Sequence, residues 1–313
     1  MSPSRSKYAP PRSKPARLSN HGGKRRGKPA AAETPVSAPE KLQKVLAATG
    51  LGSRREIEGW IGQGRILVNG DPAHIGQRVT NRDRIEVDGA RVSIARQGTP
   101  QVLILNKLAG TVCSRHDEEG RKTVFDTLPR LRSGRWIGVG RLDMQTTGLL
   151  VLTSDGALAN RMMHPSTGLD REYAVRVNKR LEEAELQQLL AGIDVEGEQL
   201  RFSDIRFYDG SEKNFWYHVV LLEGKNREVR RLFEAVGCVV SRLKRVRYGP
   251  LILPSWLRAG QWAKLQEADV SSLYQLLGLP YTAPANAGKR DTKSRGRGSE
   301  AKTSVLLPYP ELP

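Results

Sequence analysis

Cysteine is scarce in this chain: Cys113 and Cys238 are the only two among 313 residues. Two thiols cannot supply a disulfide framework, so the sequence predicts ordinary cysteines and a reducing, cytoplasmic compartment. Histidine is almost as thin. The five present (His21, His74, His116, His164, His218) are scattered, no His or Cys pair stands at metal-ligand spacing, and no metal is expected. Long apolar runs are missing too. Nothing approaches the ~18–20 residues of a membrane span, and the charged opening MSPSRSKYAP has no apolar segment behind it, so neither a span nor a secretory leader is expected. Neither GxGxxG nor GxxxxGK[ST] occurs, which leaves a nucleotide cofactor without support. Acids are the last shortage, 33 against 51 Lys plus Arg, for a net charge of +18.

That charge is the first positive signal. Residues 1–39 carry +8 and residues 281–313 carry +3, which leaves +7 on residues 40–280. The part able to fold is therefore basic in its own right, and a polyanion is the expected partner. Residues 1–39 hold seven prolines and no apolar period, so they are expected to be a disordered basic tail. Residues 281–313 have a similar composition and are expected to be a disordered basic extension.

Residues 40–97 are expected to form a small α/β unit. Leu42, Val45 and Leu46 recur at helical spacing, and Gly50-Leu51-Gly52 ends that helix. Ser53 with Glu56 three residues on predicts a capping box at the start of a second helix, whose apolar face is Ile57, Trp60 and Ile61. Strands follow at 66–68, 84–87 and 90–92, with Asn69-Gly70 and Asp88-Gly89 as turns. Two helices bearing Lys41, Lys44, Arg54, Arg55 and Arg65 beside a tight strand set resemble the S4 RNA-binding domain. The resemblance implies that these cations meet RNA phosphates.

Residues 93–100 read as a linker, and 101–280 as a second domain. Strands are expected near 102–106, 136–140, 148–153, 172–177, 200–207, 215–222 and 240–247, with helices near 156–163, 180–191, 226–236 and 269–277. That irregular interspersion predicts an α+β fold on a mixed, mostly antiparallel sheet.

The segment from Gly138 to Thr153 places Arg141 and Asp143 in a polar loop between two strands, where a substrate has access. Taken alone, an aspartate in such a loop is usually a turn former. The run Gly140-Arg141-Leu142-Asp143 through Asp155-Gly156 nevertheless resembles the signature loop of the pseudouridine synthases. So do His164-Pro165, Arg171-Glu172-Tyr173-Ala174-Val175 and the block from Glu223 to Gly237. With the S4-like front, the resemblance covers residues 40 to about 278 and points to the RsuA/RluB branch, which acts on ribosomal RNA, 23S RNA foremost.

The resemblance implies a cofactor-free isomerase. It makes Asp143 the nucleophile, or the base on a glycal route, and Tyr173 the residue that stacks on the target base. It places Arg141 where the flipped nucleotide leaves space, and makes Arg230 the ion-pair partner of Asp143. Helical geometry is compatible with the last role: Val229, Leu232, Phe233 and Val236 form an apolar stripe, and Arg230 sits about 100° from its centre. Arg227 and Arg231 fall on the far side and suit phosphates. Of the basic run Arg242 to Arg247, Arg245 in particular is a candidate for an RNA groove or for a solvated strand face. The expected partner is ribosomal RNA or a pre-ribosomal particle, met by a monomer. Two other readings are a non-catalytic RNA-binding assembly factor and a synthase acting on small-subunit RNA. A glycoside hydrolase would need a second carboxylate about 5–9 Å from the first, and no motif nominates one.

Overall fold

The computed structural model describes residues 38–94, 98–115, 117–283, 298–301 and 303–310. The tail before residue 38 lies outside the described residues, as do residues 284–297.

The front unit begins with β1 (Glu40–Lys41), α1 (Leu42–Thr49) and α2 (Arg54–Gly62). The capping box forms as expected, with Ser53 Oγ accepting from Glu56 N at 3.1 Å. Strands β2 (Ile66–Val68), β3 (Asp71–Pro72), β4 (Arg78–Val79), β5 (Ile85–Val87) and β6 (Ala90–Val92) follow. Asn69-Gly70 turns β2 into β3, and Asp88-Gly89 turns β5 into β6. All four turn residues have positive φ, the condition for a two-residue hairpin that matches strand twist. Leu42, Leu46, Ile57, Ile66 and Ile85 are fully buried between the helices and the sheet.

The second unit is built on a ten-stranded sheet. Its elements in chain order are β7 (Val102–Lys107), β8 (Ile137–Val139), β9 (Thr147–Thr153), α3 (Gly156–Met163), β10 (Arg171–Val177), α4 (Glu183–Ala191), β11 (Ile193–Val195), β12 (Glu198–Leu200), β13 (Asp204–Ser211), β14 (Asn214–Leu221), α5 (Glu228–Ala235), β15 (Val240–Tyr248), β16 (Leu251–Ile252), β17 (Trp262–Lys264), α6 (Glu267–Leu276) and β18 (Gly298–Glu300). The sheet runs β13-β14-β10-β15-β9-β7-β17-β18, with β8 beside β9 and β16 beside β15. All its pairings are antiparallel except β15 with β9 and β17 with β18, as expected for a mixed, mostly antiparallel sheet. Alternation along the central strands feeds two cores. Leu103, Leu105, Leu150 and Leu152 join Leu189 of α4 and Leu232 and Phe233 of α5 on one side. Ile104, Leu149 and Val151 join Leu158 of α3 and Leu273 of α6 on the other.

Three boundaries differ from expectation for local reasons. The strand expected at 200–207 starts at Asp204, because Glu196 and Gly197 turn at positive φ and fold β11 and β12 into their own hairpin. The helix expected from 180 starts at Glu183, after a capping box made by Glu182 and Glu185. The one expected from 226 starts at Glu228, because Arg227 takes φ 48°.

One expectation is overturned. The extension after residue 281 is not disordered throughout: β18 pairs with β17, Ala301 and Val305 are buried, and Tyr309 Oη donates to Asp170 at 2.8 Å. Asp269 receives Ser304 Oγ at 2.7 Å and Val305 N at 3.2 Å. The apolar residues of this terminal stretch find an open sheet edge to cover, which composition alone does not reveal.

The two units meet closely. A Cβ on Gly50, which ends α1 at φ 94°, would lie 2.8 Å from Gly134 O, so the backbones touch there. Arg54 Nη2 comes within 3.8 Å of where a Cβ of Gly156 would lie, at the start of α3.

Candidate active site

Between β8 and β9 the chain makes a short loop, and the loop is clamped from beneath. Lys107 ends β7 and is 1% exposed. Its Nζ donates to four backbone carbonyls: Thr146 at 2.9 Å, Leu108 at 3.0 Å, Asp143 at 3.1 Å and Met144 at 3.2 Å. Burial lowers the Lys107 pKa, while Cys113 and the Asp143 carboxylate oppose that shift. Thr146 N also donates to Asp143 O at 3.0 Å, and Gly110 N to Met144 O at 2.9 Å. The loop backbone is thus held by one ammonium and two amides, while the Asp143 and Arg141 side chains stay exposed. Sequence reasoning missed Lys107. Its only trace was a lysine closing an otherwise apolar strand.

Asp143 looks into a cavity of about 1060 Å³ whose walls include Arg141, Tyr173, Arg171, Lys225, Arg227, Arg245 and Tyr248. Of the expected chemical residues, Asp143, Tyr173 and Arg141 are therefore brought together. Tyr173 sits on β10 and is 8% exposed, so its ring forms wall rather than outer surface.

Arg230 is placed differently from expectation. It does not line the cavity and does not pair directly with Asp143; its Nη1 donates to Val240 O at 2.9 Å, and its Nε is buried without a partner. The start of β15 offers a carbonyl nearer than the loop. Burial lowers the Arg230 pKa and Arg227 adds to the shift, whereas the Asp143 charge raises it, so the two residues still sense each other.

The expected RNA-facing cations also divide. Arg227 lines the cavity and lies 3.7 Å from Glu234. Arg231 is not free for phosphate: it bonds Glu198 and Glu196 at 2.5 and 3.3 Å and the Val195 carbonyl at 2.9 Å, tying α5 to the β11–β12 hairpin. Arg245 lies on no solvated strand face, being 2% exposed inside the cavity wall. In the front unit Lys44 pairs with Glu40, and Arg65 grips Asp88 through two bonds of 2.8 and 2.6 Å while lying 5.0 Å over the Trp60 ring. Lys41, Arg54 and Arg55 are exposed.

Other motif residues prove architectural. Asp155 caps α3, accepting from Ala157 N at 2.7 Å and from Tyr274 Oη at 2.6 Å. His164 Nδ1 accepts from Ser166 N at 3.2 Å at the head of the short 165–167 turn. Arg171 spends its guanidinium on the carbonyls of Leu169 and Leu222 and on Tyr248 Oη, at 3.1, 2.7 and 3.1 Å. Glu172 binds His218 at 2.7 Å and Arg247 at 2.9 Å.

An exposed carboxylate on a rigid loop, facing a deep wall of arginine, lysine and tyrosine, defines an enzyme that acts on a polyanion. Comparison with known proteins agrees. A family model described as RNA pseudouridylate synthase matches residues 101–235, and one described as S4 domain matches residues 40–85. The chain belongs to the RNA pseudouridylate synthase family, a family of isomerases, and carries an S4 domain at its front. It is 50% identical over 281 residues to the ribosomal large subunit pseudouridine synthase B of Pseudomonas aeruginosa, covering 88% of this chain and 73% of that one. It is 48% identical over 271 residues to the protein of the same description from Escherichia coli K12, covering 85% of this chain and 93% of that one. A solved structure described as a pseudouridylate synthase matches at 26% identity and a TM-score of 0.53, over 74% of this chain and 99% of that one.

Proposed function

We propose that this protein converts one uridine of large-subunit (23S) ribosomal RNA to pseudouridine. It acts in the cytoplasm, as a monomer, on the free RNA or an assembling subunit during ribosome biogenesis. Relatives at 48–50% identity bear a large-subunit description, and no described helix is long and apolar enough to cross a membrane. The observation that carries the reading is the placement of Asp143: exposed at the cavity wall, with Tyr173 and Arg141 lining the same space.

The chemistry needs little else. The C1′–N1 bond breaks, the uracil turns while bound, and C5 bonds to C1′ as its proton leaves. Asp143 serves the sugar, either by bonding to C1′ or by taking the 2′ proton that gives a glycal. Tyr173 stacks on the extruded base and Arg141 fills the vacated space. The Arg230 guanidinium acts on Asp143 through its charge, across the α5–β15 junction, rather than by a direct bond. Residues 40–97 hold RNA through phosphates, with Lys41, Arg54 and Arg55 as exposed cations and Lys44 and Arg65 available only by exchanging a carboxylate for a phosphate, an exchange that Arg231 of the second unit would also need.

Chemical mapping of pseudouridines in ribosomal RNA from cells lacking the protein tests this. One missing site in the large-subunit RNA is expected. A missing site in the small subunit redirects the substrate, and an intact map overturns the proposal.

A further inference from the structure

Among the cations of the cavity wall, most have their charge answered. Arg171 is spent on two carbonyls and a phenol. Lys225 lies 3.2 Å from Glu223, Arg121 is paired with Asp117 and Glu119, and Arg227 approaches Glu234. Arg141 stays exposed on the loop, and Arg245 is the buried cation of the wall with a donor left over. Arg245 is 2% exposed, and among the described residues its hydrogen bond goes to a backbone carbonyl rather than to a carboxylate. Its Nε donates to Leu149 O at 2.7 Å, and its Nη2 is buried with no acceptor. Its guanidinium lies 5.1 Å over the Tyr248 ring.

Position adds to this. Arg245 pairs across the sheet with Tyr173 on β10 and with Gly148 on β9, so it joins the base-stacking strand to the strand that leaves the Asp143 loop. The approach to β9 is possible because residue 148 is glycine: a Cβ there would lie 2.2 Å from Arg245 O, at a φ of 97°. A buried guanidinium left one acceptor short is costly unless something arrives to use it.

We propose that Arg245 is a further substrate-contacting residue, donating to a carbonyl oxygen of the target uracil and stabilising the ring once it is detached. This rests on the isomerase reading above. When C1′–N1 breaks, the electron pair leaves with the uracil, and negative charge spreads over N1 and the ring carbonyl oxygens. Asp143 balances the sugar side, by a bond to C1′ or by holding the 2′ proton. After the ring turns, C5 attacks C1′ as the Asp143–C1′ bond breaks or, on the glycal route, as Asp143 returns the proton to C2′; the C5 proton is then lost and N1 is protonated, so the product is neutral. Charge on the ring exists only between the two bond changes, and a fixed donor aimed at it acts on the rate. Tyr173 supplies the stacking face, Arg245 the charge.

The test compares Arg245→Lys and Arg245→Met with wild type in single-turnover loss of substrate at saturating enzyme. Two substrates are used, a ribosomal RNA fragment with uridine at the target and the same fragment with 5-fluorouridine. Fluorine makes the detached ring a more stable anion, so it needs less help. Both variants are expected to bind RNA like wild type and to lose ~100-fold or more in rate on uridine, Met more than Lys, with a distinctly smaller loss on 5-fluorouridine. A merely structural residue would slow both substrates alike. Equal losses on the two substrates, or wild-type rates on uridine, overturn the proposal. If Arg245→Met does not fold, Arg245→Lys alone decides by the same comparison. A wild-type protein that turns over neither substrate would instead remove the isomerase reading itself.

Discussion

Lys107 Nζ donates to the backbone carbonyl of Asp143 at 3.1 Å, from a position almost wholly removed from solvent. The carboxylate that faces the cavity is therefore held by its own main chain, and the lysine that holds it spends its hydrogen bonds on carbonyls rather than on that side chain. Four carbonyl dipoles replace the water that a buried ammonium gives up.

Lys107→Met keeps the length of the side chain and removes the charge, leaving those carbonyls without their donor. A loss of about 2–4 kcal/mol in unfolding free energy is expected. A turnover defect measured well below the melting transition is expected as well, because a loop displaced by even ~1 Å misplaces Asp143. Denaturant unfolding beside single-turnover kinetics checks both, and a variant as stable and as fast as wild type removes the clamp from the account.

The terminal strap makes a second prediction. Deleting residues 298–313 uncovers the edge of β17 and removes the burial of Ala301 and Val305 and the bonds to Asp269 and Asp170. Roughly 2 kcal/mol or more of apolar burial goes with them, so the melting temperature should fall by a few degrees, with the reaction at about 25 °C largely intact. An unchanged melting curve would mean that this stretch does not dock in solution.

Neighbouring arginines on α5 should separate. Arg230→Ala is expected to reduce turnover at saturating RNA, since its charge reaches Asp143. Arg231→Ala loosens the β11–β12 hairpin and is expected to touch stability more than rate. Indistinguishable turnover defects in the two variants would contradict this division.

Arg54 and Arg55 separate in a similar way. Arg55→Glu should weaken binding of cognate RNA and of unrelated hairpins alike, and flatten the plot of log affinity against log salt by ~0.7–0.9 for each phosphate no longer neutralised. Its single-turnover rate should stay near wild type. Arg54→Glu also disturbs the seam at Gly156, so a rate defect is expected there in addition. An unchanged salt slope in both would mean that the S4 domain does not hold RNA by its backbone at these positions.

What the sequence disclosed follows from how local each determinant is. The capping box at Ser53, the Asn69-Gly70 and Asp88-Gly89 turns and the apolar stripe of α5 depend on neighbours a few residues away, and they formed as expected. Asp143 stood out only through its resemblance to a known loop, because an aspartate between two strands is otherwise a common turn residue. Lys107 was invisible because its partners include carbonyls 36 to 39 positions along the chain, brought near by β7 pairing with β9. Arg245 reads as one more cation on a basic strand until β15 pairs in parallel with β9 and the cavity closes over it. The strap was hidden by its basic surroundings, although Val305, Leu306, Leu307 and Tyr309 are an apolar cluster that asks for a surface.

The most direct test is Asp143→Asn, which preserves shape and removes the charge, with tritium release from 5-labelled uridine in large-subunit ribosomal RNA as the readout. The side chain is exposed, so the amide has room where the carboxylate stood. Folding and RNA affinity should therefore match wild type while release falls to background. Release near the wild-type rate from a folded, RNA-bound Asp143→Asn protein would contradict the assignment of the chemistry to this loop.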